Sequence, residues 1–335
     1  MKKYVKQLIQ WIIAALIAGL IMNTVLFFYN SRPGWIERTK GATTGIYTPN
    51  SYIIKMTEGK GCHKSDSRGY VNNSDKLADH YVIAVGASHT QGKEVDDGER
   101  YTDLLNEWLG YKDEVYVYNV SEDGYYLPYI INGFKALTEE FPDAEKIIIE
   151  IATTSFDVDL LKSAYEQREF DQSQLGENIF DTLSLMDKMK KYVKQYSPLL
   201  YNAENQLASI KKIHGESETK NNKEVDIDEY RDALDKDFDM MTSLFDKEII
   251  ILYHPNVELN EDGGMTIKTA ETDGIFKEIC EKYDIAVVDM SDKFREEYEN
   301  NWVVSTGFSN TTIAEGHLNK EGHRMIAEEL LKIME

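Results

Sequence analysis

Apolar and polar positions divide the chain into three stretches with different rhythms. From Leu8 to Tyr29 the sequence is apolar for roughly twenty residues, interrupted by Gln10, Asn23 and Thr24, long enough to cross a bilayer as one helix. Residues 31–80 have little periodicity and are punctuated by Pro33, Gly34, Gly41, Gly45, Pro49 and Asn50, with SYIIKM at 51–56 as a short edge strand. From residue 81 an α/β alternation sets in. The apolar run 82–85 predicts a strand, and Tyr101, Leu104, Leu105, Trp108 and Leu109 share one helical face. Further strands are predicted at 114–120, 146–151, 248–255 and 284–290, with helices over 127–140, around Ile275 to Ile279, and from near Gly322 to the C-terminus.

Residues 158–247 depart from that rhythm and read as a helical insertion or expanded crossover. Leu183, Met186, Met189, Val193 and Tyr196 mark one helix, and Tyr230, Leu234, Phe238, Met241 and Phe245 a second, with a polar loop over 214–226 between them. The two stripes fit either a cap over the site described below or a helix hairpin buried against the body. The resulting organisation is 1–30 cytoplasmic N-terminus and anchor, 31–78 extracytoplasmic connector, and 79–335 main domain.

Charge supports the anchor. Lys2, Lys3 and Lys6 precede the apolar run, and no short apolar core with a small-x-small exit marks a cleavage site. The basic flank predicts a cytoplasmic N-terminus, a single pass through the lipid membrane, and a body outside the cytoplasm. The net charge is −22, and because residues 1–40 carry +5 the rest of the chain carries −27; no basic stripe offsets it, which excludes nucleic acid as a partner. Cys62 and Cys280 form no metal-spacing motif; they fit either a disulfide or two isolated thiols. No metal motif occurs, and neither a metal nor a cofactor is expected.

The candidate chemistry lies at the two ends of the α/β region. In YVIAVGASHTQG, residues 81–92, a strand stops at Gly86-Ala87 and delivers Ser88 to the start of a helix. That position fits an N-cap, and it also fits a nucleophile held over the end of a sheet. The nucleophile requires a base, and His317 in EGHLNKEGHRM is the suggestive one of seven histidines.

Taken together, the small-Ser-x-Thr-x-Gly block and the His-x-Asn-x-x-Gly-His block resemble the SGNH or GDSL-like hydrolase superfamily, as a divergent membrane-anchored member. The resemblance implies a three-layer α/β/α sandwich with a mostly parallel central sheet, in which Ser88 attacks an ester carbonyl and His317 is its base. Ala87 stands where the family usually has aspartate. Gly124, after the strand at 114–120, fits the second block, whose glycine amide helps hold the oxyanion. Counting along the third block puts Thr154 where the family has an asparagine donor. The family places aspartate three residues before the histidine; here that position is Ala314, and Glu315 is the nearest acid to orient the ring.

The expected activity is serine-dependent O-acyl esterase chemistry, foremost O-acetyl, on an acylated carbohydrate of the cell envelope. Two alternatives stand beside it: a carbohydrate O-acyltransferase working with a multispanning membrane O-acyltransferase, and a catalytically weak carbohydrate-binding or assembly protein.

Overall fold

The computed structural model describes residues 2–29, 38–40, 45–55, 58–167, 177–204, 207 and 225–334. Helix α1, Lys2–Tyr29, carries the N-terminal apolar run and is long and apolar enough over Lys3–Phe27 to cross a membrane. Two antiparallel hairpins follow, Arg38–Lys40 with Gly45–Tyr47 and Tyr52–Lys55 with Gly61–Lys64. The predicted edge strand at 51–56 is thus one arm of the second hairpin. Parts of the predicted connector, and residues 214–224 of the predicted polar loop, lie outside the described residues.

An α/β sandwich is built on five parallel strands: β1 Leu77–Val85, β2 Val115–Asn119, β3 Ala144–Ile151, β4 Glu248–Tyr253 and β5 Ala286–Asp289. Their order is β5-β4-β3-β1-β2, with Val82 opposite Val117 on one side and Lys146 on the other, and Ile147 opposite Ile249. Strands covered on both faces read as continuous apolar runs, which is why the sequence announces them. Val82 and Ala84 face one helical layer, whereas Ile83 and Val85 face the other, as a two-residue period requires.

Helices α3 (Tyr101–Trp108), α10 (Ser291–Asn301) and α11 (Lys320–Met334) cover the first face through Tyr101, Leu105, Phe294, Met325 and Ile326. The other layer holds α4 (Leu127–Asn132), α5 (Phe134–Glu140), α6 (Val158–Ala164), α8 (Ile227–Leu244) and α9 (Asp273–Lys282). The helix expected over 127–140 is two helices, because the chain leaves helical geometry at Gly133. Within 158–247, α8 buries Tyr230, Leu234, Phe238 and Met241 in the core. Helix α7, Leu185–Tyr196, keeps its apolar stripe exposed, so the two stripes do not pair with each other.

The chain leaves β1 for β2 on one side and then crosses back past β1 to β3 on the other. The direction reverses between β1 and β3, and a sheet of this kind opens a crevice at the carboxyl ends of those strands. Ser88 lies three residues beyond the end of β1, at the start of the short helix α2, Ser88–Gln91.

Candidate active site

The turn that presents Ser88 is tied to the neighbouring strand by a buried carboxylate. Glu150, next to last on β3 and 2% exposed, accepts hydrogen bonds from the Ala87 amide (2.9 Å) and the Thr90 hydroxyl (3.1 Å). Its other oxygen lies 2.7 Å from His254 Nε2 at the end of β4. Burial alone would raise the Glu150 pKa, but the charge and hydrogen bond of His254 and the Ala87 amide outweigh it and hold the group ionised, well below its usual range. Glu150 is thus the buttress of the serine turn. A side chain at Gly86 would come within 2.4 Å of Glu150 Oε2 and 2.6 Å of Thr90 Oγ1. Only glycine admits that close approach.

His317 reaches Ser88 from the segment Ile313–Leu318, just before α11. Its Nε2 is 2.8 Å from Ser88 Oγ. On the far side of the ring, Nδ1 lies 2.7 Å from Glu58 Oε2, while the His317 amide donates to Glu58 Oε1 at 2.7 Å. One carboxylate therefore grips both the ring and the backbone of the histidine. With Glu58 ionised and Nδ1 carrying the proton, Nε2 offers its lone pair to the serine hydroxyl.

Glu58 sits in the connection of the second hairpin. Asn310 clamps the adjacent Gly59 in both directions, accepting from its amide and donating to its carbonyl at 3.0 Å each. The carboxylate fits because Gly316 has φ +80° and no side chain; a Cβ there would lie 2.1 Å from Glu58 Oε1.

A second carboxylate stands behind the first. Glu94 is 1% exposed, with Oε1 3.3 Å from Lys55 Nζ and 3.9 Å from His317 Nδ1. Burial would lower the His317 pKa, but the Glu58 hydrogen bond and the charges of Glu94 and Glu58 prevail and raise it above the ordinary histidine value. Glu58 is the reciprocal case: burial would raise it, and its bonds to His317 lower it.

Two expected site residues are placed otherwise. Glu315 is exposed and Glu58 occupies the position beside His317 Nδ1, so the ring is oriented by an acid that precedes the serine in sequence. Thr154 is fully buried, its hydroxyl donating to Asp273 and lying 3.2 Å from Thr272 Oγ1, while its carbonyl accepts from Tyr230 (2.5 Å) and Thr272 (2.9 Å). Those bonds turn its hydroxyl to α9 and away from an oxyanion role. Gly124 lies in the turn after β2 with φ +74° and is exposed. Cys62 and Cys280 are free thiols, the first exposed and the second buried.

The histidines around the relay have a stability consequence. His89 Nδ1 accepts from the Leu318 amide (3.2 Å), and His323 Nδ1 accepts from the Tyr101 amide (3.3 Å). Both rings are therefore neutral. Burial, then the His254 charge, pushes His89 well down; burial, then the Arg100 charge, takes His323 to about 3. Below about pH 6.5 the unfolded chain binds protons that these folded rings refuse, so stability is lost as pH falls, by about 1.4 kcal/mol per pH unit for each ring. His317, with its raised pKa, works in the opposite sense just above that range. Urea unfolding at pH 7 and pH 5 is expected to show His323→Gln losing about 2 kcal/mol less than the parent over that interval; equal losses would contradict the assignment.

No family model and no curated protein matches the sequence. Among solved structures, the chain is similar to the periplasmic domain of a lipopolysaccharide acetyltransferase from Salmonella ser. Paratyphi A, at 12% identity and TM-score 0.38, covering 78% of this chain and 85% of that one. It is also similar to an acetylxylan esterase from Geobacillus stearothermophilus, a catalytic mutant, at 16% identity and TM-score 0.35, covering 77% and 94%. A psychrotrophic esterase from Pseudoalteromonas sp. aligns at 10% identity and TM-score 0.37, covering 77% of this chain and 97% of its own.

Proposed function

We propose that this protein is a serine-dependent O-acyl esterase, acting foremost on O-acetyl groups of cell-envelope carbohydrate. The observation that carries the reading is the unbroken series Glu58 to His317 to Ser88, with contacts of 2.7 and 2.8 Å. Ser88 Oγ attacks the ester carbonyl as its proton passes to His317 Nε2, and Glu58 stabilises the imidazolium. The tetrahedral oxyanion is held by the Ser88 and Gly124 amides. Collapse breaks the ester C–O bond, and His317 returns the proton to the leaving sugar oxygen. Water then attacks the acyl-enzyme, giving its proton to His317 and releasing the carboxylic acid and Ser88.

A sugar hydroxyl in place of water makes the same intermediate a transferase, in which case a multispanning membrane O-acyltransferase is the fitting partner. A binding protein without turnover has no use for a histidine gripped by a carboxylate at one nitrogen and facing a serine at the other. In this reading helix α1 tethers the site to the membrane, and the lysines that precede its apolar run favour a cytoplasmic N-terminus with the body on the opposite side.

Incubation with an activated acetyl ester followed by intact-mass measurement and peptide mapping is expected to find one acetyl group on Ser88. Adding acetyl-accepting oligosaccharides then partitions the adduct between free acetate and acetylated sugar, which separates hydrolysis from transfer. An adduct at another residue, or none during demonstrable turnover, would overturn the serine mechanism.

A further inference from the structure

Helix α7 keeps most of its apolar face exposed. Leu185, Met186, Met189, Tyr192, Val193 and Tyr196 are 41% to 76% exposed. At 100° per residue they occupy an arc of about 120°. Lys188 and Lys190 flank that arc on its two sides, and Lys191 and Lys194 lie behind it. With Asp187 as its one acid, the helix carries +3 in a chain of −22.

The C-terminal end of this helix is fastened to the membrane-crossing helix. Asn23 Nδ2 donates to the Tyr196 carbonyl (3.3 Å), and Asn23 Oδ1 accepts from the Ser197 hydroxyl and the Leu199 amide (3.2 Å each). The rings of Phe27 and Tyr196 stack at 6.3 Å. Asn23 lies four residues before the end of the apolar span Lys3–Phe27, which is about 6 Å along the axis. The whole span measures about 38 Å, against a hydrocarbon core of about 30 Å. Asn23 therefore stands within a few Å of the boundary between acyl chains and headgroups. An amide at that depth is costly without partners, and the end of α7 supplies three.

We infer that α7 is an interfacial helix, lying on the bilayer face reached by the C-terminal end of α1, with its apolar stripe in the acyl boundary and its flanking Lys188 and Lys190 at anionic headgroups. The inference rests on α1 spanning the membrane and is independent of the acyl chemistry. Lipid is the occupant because the C-terminal end of α7 is held at the lipid boundary, and Lys188 and Lys190 on the two edges of a narrow apolar arc suit a headgroup plane, where their stems lie along the apolar surface and their charges reach outward. A second attachment of this kind restrains the body from swivelling about α1 and holds the site at a fixed height over the surface.

The test uses the full-length protein in nanodiscs of phosphatidylethanolamine and phosphatidylglycerol, on a Cys62→Ser background. Single nitroxide labels are placed through Met186→Cys, Met189→Cys, Val193→Cys, Lys191→Cys and Lys194→Cys, with Leu16→Cys on α1 as the reference. Collisional accessibility is measured to oxygen, which concentrates in lipid, and to a water-soluble nickel chelate. The oxygen-to-nickel ratio is expected to be several-fold higher at 186, 189 and 193 than at 191 and 194, and to approach that at 16. Water-like values along all of α7 with a lipid-like value at 16 would overturn the inference and leave the anchor standing. Stripe labels shielded from both reagents would overturn it in favour of a protein partner or a second copy. A water-like value at 16 would remove the anchor, and the inference with it.

Discussion

Replacing Ser88 by alanine is expected to lower acyl turnover by roughly 10,000-fold or more without unfolding the protein, and His317→Ala is expected to do nearly as much. The serine hydroxyl makes its polar contact with His317 Nε2. The turn that carries it is held by other groups: Glu150 through the Ala87 amide and Thr90, and β1 through its pairing with β3. Removing one oxygen therefore takes away the nucleophile and leaves its platform in place. The double variant is expected to be scarcely worse than either single one, because nucleophile and base act as one unit and their losses do not add. Steady-state kinetics with an activated acetyl ester, beside a urea unfolding curve for each variant, make the measurement. Parent-like turnover by folded Ser88→Ala would sink the mechanism.

What the sequence discloses about this protein depends on how local the signal is. The strands at 82–85, 146–151 and 248–253 were legible because burial on both faces leaves no room for polar alternation. Ser88 and His317 each lie in a short block whose neighbours set the local turn, so both positions stood out before the fold brought them together. Glu58 carries no such mark. It is one acid among 59 acidic residues, in a segment without periodicity, and it meets a histidine 259 positions away. The glycines around it were the available hint, since Gly316 matters only if something presses against it. Counting along a block also located Thr154 without saying where its hydroxyl points, and the pull of Asp273 decided that. Periodicity likewise found the stripe of α7 and not what it faces, because an amphipathic pattern is the same whether the apolar side meets a core or a lipid surface.

Glu58→Gln is expected to cost about 10²- to 10⁴-fold in turnover, whereas Glu315→Gln stays within about twofold of the parent. The glutamine keeps the size of the side chain but brings an NH₂ group to a site that holds a carboxylate. An amide donating to Nδ1 stabilises the tautomer with its proton on Nε2, which cannot accept from Ser88. The change also removes the leading contact that raises the His317 pKa, leaving Glu94 at 3.9 Å as the remaining carboxylate neighbour. Because turnover needs the neutral base, the acidic limb of the parent pH–rate profile lies above the ordinary histidine value, and in Glu58→Gln it is expected to move to lower pH. A folding defect would lower the rate without moving that limb. Gly316→Ala provides an independent check through backbone and space: it keeps the carboxylate but places a methyl 2.1 Å from its oxygen, at a φ of +80° that alanine resists. Its loss should run in the same direction as that of Glu58→Gln. A large loss in Glu315→Gln, with Glu58→Gln close to the parent, would reverse the assignment of the acid.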